Sequence, residues 1–282
     1  QGEQGMSWQE WAQKTDRRHI LALSGGKDSS ALAVYLRDKV PNLEYVFCDT
    51  KKELDETYKY IDKLESFLRI KVHYLHYEER QGFDDILRMK RGFLPSANSR
   101  WCTEYLKLKP YEKFIGDDPV VSYVGIRADE PHRQGYISGK NGVTTVFPFA
   151  EDGLVKSDIY RILEDCGLGL PSYYQWRSRS GCFFCFFQQR REWVGLLENH
   201  PGLFAQAEAY EKIDPDTGER FTWMQDMSLA ELRQPERVAA IKQEYEARMR
   251  RKSQKFVSNQ RLGDMWDEDV EGQDVACLVC HI

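Results

Sequence analysis

Short apolar runs alternate with amphipathic stretches along the first half of the chain. Four runs have the length of buried strands, and they cover residues 19–23, 45–48, 70–75 and 120–126. Residues 29–40 and 53–68 carry apolar side chains at helical spacing, and Pro41 closes the first of these helices. Strands that alternate with helices predict βαβ units, and hence an α/β fold with an open, mostly parallel sheet and flanking helices.

The pattern changes after about residue 150, where strand signals fade. Helical spacing returns at residues 157–166, 190–213 and 229–256. We therefore predict three parts: an N-terminal extension and helix at 1–17, an α/β domain at 18–150, and a mainly helical region at 151–282. Residues 1–5 precede Met6 and are interpreted as a cloning remnant.

The composition excludes two classes of protein. Of the 282 residues, 41% are hydrophobic and 13% aromatic, which is too apolar for a disordered chain. The mean hydropathy is −0.64, and no run approaches the roughly 18 apolar residues of a membrane span. The net charge is −5, so a nucleic-acid contact would need a local basic patch.

The cysteine count suggests a reducing environment. Seven cysteines are an odd number, and no signal peptide precedes them. This combination favours a cytoplasmic protein in which cysteines bind metal or act in catalysis, because a disulfide framework pairs its cysteines.

A glycine-containing loop at residues 24–30 separates the first predicted strand from the first predicted helix. Gly25 and Gly26 permit positive φ and a close backbone approach, which can turn several N–H groups toward one point. The helix N-terminus and the ammonium of Lys27 add positive charge. Together these features predict a phosphate cradle, although the spacing differs from that of a Walker loop.

Two more polar side chains, Asp49 and Arg127, follow predicted strands. Ligands of parallel sheets bind beyond the carboxyl ends of the strands. We therefore expect Asp49 and Arg127 to face the same site as Ser24.

The loop and three later segments resemble one known superfamily. The segments are Ser24-Gly25-Gly26-Lys27-Asp28-Ser29, Asp49-Thr50 with Glu53 and Glu56-Thr57, Arg100-Trp101-Cys102-Thr103 with Lys107 and Pro110, and Gly125-Ile126-Arg127-Ala128-Asp129-Glu130 with Arg133. The first resembles the pyrophosphate loop (PP-loop) of the adenine nucleotide α-hydrolases, which cleave ATP between the α and β phosphates. The others resemble motifs of the PAPS reductase-like branch.

Within that branch, the complete loop resembles enzymes that use ATP itself. Sulfonucleotide reductases carry an altered loop and a tail cysteine in a setting that Cys280 and His281 match only faintly. The pattern is most similar to the ATP pyrophosphatases of DNA phosphorothioation systems. Thiouridine-forming tRNA enzymes are a sister possibility.

The resemblance implies a set of site residues. The nucleotide-binding candidates are Ser24, Gly25, Gly26, Lys27, Asp28, Ser29, Ser30 and Arg133. The catalytic candidates are Lys27, Asp28, Asp49 and Arg127. Mg²⁺ would bind Asp28 or Asp49, and Arg127 and Arg133 would hold a phosphate of the acceptor or nucleotide. An acceptor oxygen would be adenylated and then replaced by sulfur from a cysteine desulfurase.

Cys182 and Cys185 form a C-x-x-C pair between phenylalanines, which predicts two thiolate ligands of a [4Fe–4S] cluster. The resemblance makes Cys102 the third ligand. The similar enzymes carry a further cysteine soon after the pair, which this chain lacks, so the fourth ligand is Cys280 or Cys277 of the tail unless one iron stays open. A zinc site formed by both C-x-x-C pairs is the alternative. The core candidates among the cysteines are Cys48 and Cys166.

Two basic groups suggest a nucleic-acid partner, most simply DNA. The first group is Arg177, Arg179, Arg190 and Arg191, and the second is Arg248, Arg250, Arg251, Lys252 and Lys255. For the second group, a solvated helix end is an equal interpretation. The acidic stretch at 264–274 and the oligomeric state are left open.

Four other functions remain. They are a sulfonucleotide reductase, a tRNA thiolation enzyme, an ATP sulfurylase-like subunit, and a non-catalytic ATP- and nucleic-acid-binding component of a defence complex. Other proteins of a modification system are expected as partners in the favoured reading.

Overall fold

Alternating strands and helices fill the first half of the chain. The computed structural model describes residues 5–78, 81–133, 142–213 and 219–258. The strands are β1 (Arg18–Leu23), β2 (Leu43–Cys48), β3 (Val72–Leu75), β4 (Val120–Tyr123), β5 (Val143–Val146), β6 (Lys212–Ile213) and β7 (Arg220–Phe221). The helices are α1 (Trp8–Ala12), α2 (Lys27–Leu36), α3 (Asp55–Leu68), α4 (Phe83–Met89), α5 (Trp101–Thr103), α6 (Lys109–Ile115), α7 (Pro148–Glu151), α8 (Lys156–Asp165), α9 (Arg190–Asn199), α10 (Pro201–Tyr210), α11 (Leu229–Leu232) and α12 (Pro235–Ser258).

The main sheet has five parallel strands in the order β3-β2-β1-β4-β5. Leu21 of β1 pairs with Tyr45 on one side and with Tyr123 on the other. The α/β prediction is therefore confirmed. The chain leaves β1 toward β2 and returns on the opposite side through β4, so the crevice for ligands opens between β1 and β4.

Helices cover both faces of this sheet. Leu21 and Leu23 point into a core that includes residues of α2, α3 and α8. Ile20 and Ala22 point to the other face, where Tyr111 of α6 is buried. Because β1 is covered on both faces, its sequence is a continuous apolar run without alternation.

The helical region has its own aromatic core. Its large buried side chains include Phe83, Trp101, Phe184, Trp193 and Trp223. In contrast, α8 packs against α2 in the sheet's core, so the helical layer of the α/β unit extends past residue 150. Among the described helices, none combines the length and apolar character needed to cross a membrane.

Three details differ from the sequence pattern. The helix predicted at 190–213 is broken at His200, because Pro201 begins α10. The helix predicted at 229–256 is likewise divided before Pro235, where α12 starts. The strand β5 had no signal of its own. Its sequence, Val-Thr-Thr-Val, is short and only part-buried, and it becomes a strand through pairing with β4.

Candidate nucleotide site

The loop at residues 24–30 connects β1 to α2 at the carboxyl edge of the sheet. Gly25 has a φ of +69°, and a Cβ atom there would lie 2.5 Å from Cγ2 of Thr57 in α3. Gly26 is the N-cap of α2, and its Cβ would lie 2.8 Å from Oγ of Ser180. Both positions therefore favour glycine, because neighbouring atoms approach the backbone on both sides.

The serines of the loop brace its backbone. The N–H of Ser24 donates to Oγ of Ser29 over 3.1 Å, and the two hydroxyl oxygens also lie 3.1 Å apart. The Ser29 hydroxyl donates to the carbonyl of Gly26 over 3.3 Å. Ser30 is fully buried in the first turn of α2. These contacts fix the curvature of the loop in front of the helix N-terminus.

Lys27, Asp28 and Arg127 form one buried charged group across the β1–β4 crevice. The ammonium of Lys27 lies 2.7 Å from Oδ2 of Asp28, and Nη1 of Arg127 lies 2.8 Å from Oδ1. The three side chains are only 10%, 11% and 8% exposed. The structure thus brings these three predicted residues together, with Asp28 between two cations.

Arg127 is held by two further carboxylates. Its Nε donates to Asp129 over 2.8 Å, and its Nη1 lies 3.5 Å from Oε2 of Glu130. Arg133 in turn lies 2.6 Å from Oε1 of Glu130. Burial alone would lower the pKa of Arg127, but the carboxylates of Asp28 and Glu130 raise it, so the guanidinium stays charged. Arg127 and Arg133 thus form part of an ion-pair network beside the loop.

Asp49 lies at the end of β2, on the same edge of the sheet. Its Oδ1 accepts hydrogen bonds from the N–H of Lys51 over 2.8 Å and from the hydroxyl of Tyr58 over 2.7 Å. Its Oδ2 lies 3.7 Å from Nδ1 of His76. The carboxylate is therefore oriented by neighbours on both oxygens.

Cys182 lies against the segment that follows Asp49. Its Sγ is 3.2 Å from Oγ1 of Thr50 and 3.7 Å from Oε1 of Glu53. Burial raises the pKa of the Cys182 thiol and also that of Glu53, while the charge of Lys107 opposes both shifts. The thiol is thus part-buried beside Thr50 and Glu53, just past the end of β2.

The predicted metal ligands are only partly brought together. Cys185 lies in the same turn as Cys182, whose carbonyl accepts its N–H over 3.1 Å. Cys102 is half-buried in α5. In the part of the chain that the structure describes, no three His, Cys, Asp or Glu side chains group as metal ligands. Cys277 and Cys280 lie outside the described residues, as does the acidic stretch at 264–274.

One aromatic cluster connects the segments of Cys102 and Cys182. The ring of Trp101 stacks on Phe83 with centroids 5.2 Å apart, and Phe83 lies 4.3 Å from Phe184. Both cysteine-bearing segments are therefore anchored in the same core.

The two cysteines expected in the core are found there. Cys48 is 4% exposed, and burial raises its pKa to about 12. Cys166 is half-buried and packs against the core on the α2 side of the sheet. Neither cysteine is therefore a candidate metal ligand or nucleophile.

Three side chains that the sequence pattern did not single out contact the loop. The Tyr173 hydroxyl donates to the carbonyl of Gly25 over 2.7 Å, the N–H of Lys27 donates to the hydroxyl of Tyr174 over 3.0 Å, and the Ser180 hydroxyl donates to Oγ of Ser24 over 3.1 Å. The partners are 147 to 156 residues apart in sequence. No local pattern signals contacts of this kind.

Arg177 is buried and does not lie on the predicted basic surface. It is 1% exposed, and its two terminal nitrogens donate to the carbonyls of Gly181 over 2.9 Å and Cys182 over 2.7 Å. The prediction that it contacts nucleic acid is therefore wrong. Its guanidinium instead holds the backbone that presents Cys182.

Three other arginines of the two basic groups pack on aromatic rings, whereas Arg190 pairs with Asp226 and Arg250 with Glu246. The guanidinium of Arg191 lies 4.4 Å from the ring of Tyr245, and that of Arg248 lies 5.6 Å from the same ring. Arg179 lies 5.3 Å from the ring of Phe187. Tyr245 thus joins the two groups that the sequence places some 60 residues apart. The side chains of Lys252 and Lys255 lie outside the described part.

Comparison with known proteins assigns the α/β unit. Residues 18–145 match the family model of the phosphoadenosine phosphosulfate reductase domain. The α/β unit is therefore similar to this domain family. The family resemblance seen in the motifs is thereby confirmed. The match spans β1 through most of β5, and so includes the loop, Asp49, Cys102 and Arg127.

Two sequence relatives and one solved structure are similar to this chain. The chain is similar to two uncharacterised proteins of Methanocaldococcus jannaschii, one 29% identical over 70% of this chain and 42% of its own length, the other 22% identical over 65% and 45%. The chain thus spans less than half of either relative. A crystal structure of phosphoadenylyl-sulfate reductase from Candida auris aligns with a TM-score of 0.51 and 14% identity, covering 63% of this chain and 89% of that one. It shares the adenine nucleotide α-hydrolase fold.

Proposed function

We propose that this protein is an ATP pyrophosphatase that adenylates an oxygen of a nucleic acid, so that sulfur can replace it. The observation that carries the proposal is the position of one part-buried thiol, that of Cys182. Ser180 bonds to Ser24 of the complete phosphate loop, and Cys182, two residues later, contacts Thr50 at the same sheet edge. This proximity supports one shared site for the proposed phosphate loop and the cysteine segment.

The reaction has two displacements. An acceptor oxygen forms a bond to the α-phosphorus of ATP while the bond to the bridging oxygen breaks, and pyrophosphate leaves. Its developing charge is met by the loop N–H groups and by Lys27, an electrostatic task for groups already oriented. A cysteine desulfurase supplies sulfur as a persulfide, from which a thiol reductant releases sulfide. The sulfide then forms a bond to the acceptor phosphorus while the bond to the adenylated oxygen breaks, and AMP leaves with that oxygen.

The proposed acceptor is DNA, modified as a phosphorothioate. Its support is the basic and aromatic surface of the helical region, where Arg191 and Arg248 share the ring of Tyr245. Arginine beside a part-buried ring suits both a phosphate backbone and a base. A modification system would supply the other proteins.

Two cofactors belong to the proposal. Asp28 or Asp49 would offer the carboxylate oxygen that Mg²⁺ prefers, and the ion would neutralise charge on the phosphates. Asp49 fits this role better, because both oxygens of Asp28 already pair with Lys27 and Arg127. Cys182 and Cys185 fit as two ligands of a [4Fe–4S] cluster, which would supply iron as a binding site for sulfur. Cys102 and Cys280 are the remaining proposed ligands, with Cys277 as the alternative fourth.

Product analysis tests the pyrophosphatase. Incubation with ATP and Mg²⁺ should release AMP and pyrophosphate, and Lys27→Ala should abolish release because the cationic partner of the leaving group is gone. Lys59→Ala is the matched control, since Lys59 is exposed on α3. ADP and inorganic phosphate as products would contradict the assignment.

Metal analysis tests the cluster. Anaerobically purified protein should contain iron and acid-labile sulfide, and Cys182→Ser or Cys185→Ser should remove both. Cys166→Ser should retain them, because Cys166 belongs to the sheet's core. Stoichiometric zinc in place of iron would overturn this part of the proposal.

Mass spectrometry of digested nucleic acid tests the acceptor. DNA from cells that contain the protein should carry a sulfur-for-oxygen mass shift that is lost in Lys27→Ala cells. The shift in tRNA nucleosides would identify a tRNA thiolation enzyme instead.

The matched family favours a sulfonucleotide reductase as the second candidate. Such an enzyme would release sulfite from APS or PAPS with thioredoxin and would depend on a tail cysteine. Sulfite release that Cys280→Ser abolishes would establish it, and its absence alongside AMP formation from ATP would exclude it.

A further inference from the structure

Residues 173–180, which we call the strap, cover the phosphate loop from the helical side. Their three contacts to the loop differ in kind. Tyr173 donates to the carbonyl of Gly25, and Ser180 bonds to a side chain. Tyr174 is different, because its hydroxyl accepts the backbone N–H of Lys27 over 3.0 Å.

That N–H belongs to the helix terminus. Lys27 is the first residue of α2 after the Gly26 N-cap, so its N–H has no partner within the helix. A phosphate at a helix N-terminus binds such N–H groups. The hydroxyl oxygen of Tyr174 and a phosphate oxygen would therefore be rival acceptors for one donor.

The Tyr174 ring is held firmly in this position. It stacks on Tyr173 with centroids 4.9 Å apart at 27°, and the Lys27 ammonium lies 5.9 Å from its centroid. Because the ring is stacked on Tyr173 of the same segment, we expect displacement of the hydroxyl to shift the strap. The strap leads directly into Gly181 and Cys182, whose carbonyls bond to Arg177 of the strap itself.

We propose that Tyr174 is a built-in competitor of the phosphate group, and that its displacement on nucleotide binding shifts the strap and the adjoining Cys182. This inference rests on the proposed phosphate-binding role of the loop. In this proposal the strap couples phosphate binding to Cys182. The surroundings of the Cys182 thiol therefore change only when nucleotide is bound.

The affinity of inorganic pyrophosphate with Mg²⁺, measured by titration calorimetry, tests the competition. Tyr174→Phe removes the rival acceptor, and loss of one net hydrogen bond corresponds to a Kd about three- to tenfold lower. Tyr173→Phe is the matched control, because the Tyr173 hydroxyl donates to a carbonyl and competes for nothing. It should leave the Kd unchanged or raise it. An unchanged or higher Kd in Tyr174→Phe would overturn the competition.

Hydrogen exchange of the wild-type protein tests the movement without any variant. Pyrophosphate should speed amide exchange in peptides that cover residues 173–180 by several-fold while protecting residues 24–30. Protection of both segments would overturn the inference but leave the proposed function standing. If the wild-type protein bound neither pyrophosphate nor ATP, both would fall.

Discussion

Replacing Arg127 tests whether this side chain is a structural partner of Asp28. Breaking a buried ion pair from one side costs about 3–5 kcal/mol, because it leaves a charge without its partner. Asp28 keeps its bond to Lys27, so Arg127→Met should lower the free energy of unfolding by about 3 kcal/mol, the lower end of that range. Urea unfolding, followed by tryptophan fluorescence, measures this quantity.

Two variants calibrate the result. Arg88 forms a similar short bond to Asp85, but the two side chains are 78% and 37% exposed, so Arg88→Met should cost less than about 1 kcal/mol. Arg127→Lys keeps the charge but loses the fork that contacts Asp28 and Asp129 together, and should give an intermediate loss.

Alternatively, Arg127 binds a phosphate directly, which is the role that the sequence suggests for it. In that case Arg127→Met would weaken pyrophosphate binding and leave unfolding within about 0.5 kcal/mol of wild type. A loss no larger than that of Arg88→Met would therefore refute the structural role. A double-mutant cycle with Asp28→Asn isolates the pair, and a coupling near zero would refute it independently.

Two further substitutions, Gly25→Ala and Glu192→Gln, should lower the free energy of unfolding by predictable amounts. Gly25→Ala should cost about 1–2 kcal/mol for its left-handed φ, plus about 1–3 kcal/mol because the Cβ would lie 2.5 Å from Thr57. Gly153 also has a positive φ of +72°, but open space surrounds it, so Gly153→Ala should show only the loss due to φ in urea unfolding. Equal losses for Gly25→Ala and Gly153→Ala would contradict the predicted clash with Thr57. For Glu192, burial raises the pKa but hydrogen bonds from Ser178 lower it overall, so its stabilising effect holds above the ordinary pKa of about 4.3 and is lost as pH falls through the lower folded value. Glu192→Gln should therefore be about 1.5–3 kcal/mol less stable at neutral pH, with the difference shrinking in acid, and a constant difference would contradict this.

The parts of the fold that were predictable are those encoded locally. The strand, loop and helix around residues 24–30 each have their own pattern, and placing Arg127 after a strand end suffices to bring it to the ligand edge. In contrast, β5 is defined by its register with β4, and no property of Val143–Val146 alone separates it from a loop. The break at His200 did have a signal, Pro201, which the helical spacing around it concealed.

The sequence indicates which residues form the site, but not which of them bond to one another. Lys27, Asp28 and Arg127 were each singled out, but the bond between Asp28 and Arg127 spans 99 residues and depends on the strand order. The sequence around Tyr174 does not indicate that its hydroxyl contacts Lys27, because only the fold brings the two residues together. Arg177 was misread because a run of arginines looks like a surface, whereas its donors satisfy two carbonyls in the interior.

The charge balance around the loop indicates how it can accept pyrophosphate. Among the described residues, the ion pairs beside the loop join three cations and three carboxylates, whose charges balance: Lys27, Arg127, Arg133, Asp28, Asp129 and Glu130. Attraction for an anion must therefore come from the helix N-terminus and from Lys27 exchanging Asp28 for phosphate. Arg127 makes that exchange less costly, because Asp28 keeps a cation when Lys27 leaves. It follows that Arg127→Met should weaken pyrophosphate binding by tightening the bond between Lys27 and Asp28, and that adding Asp28→Asn should restore part of the affinity.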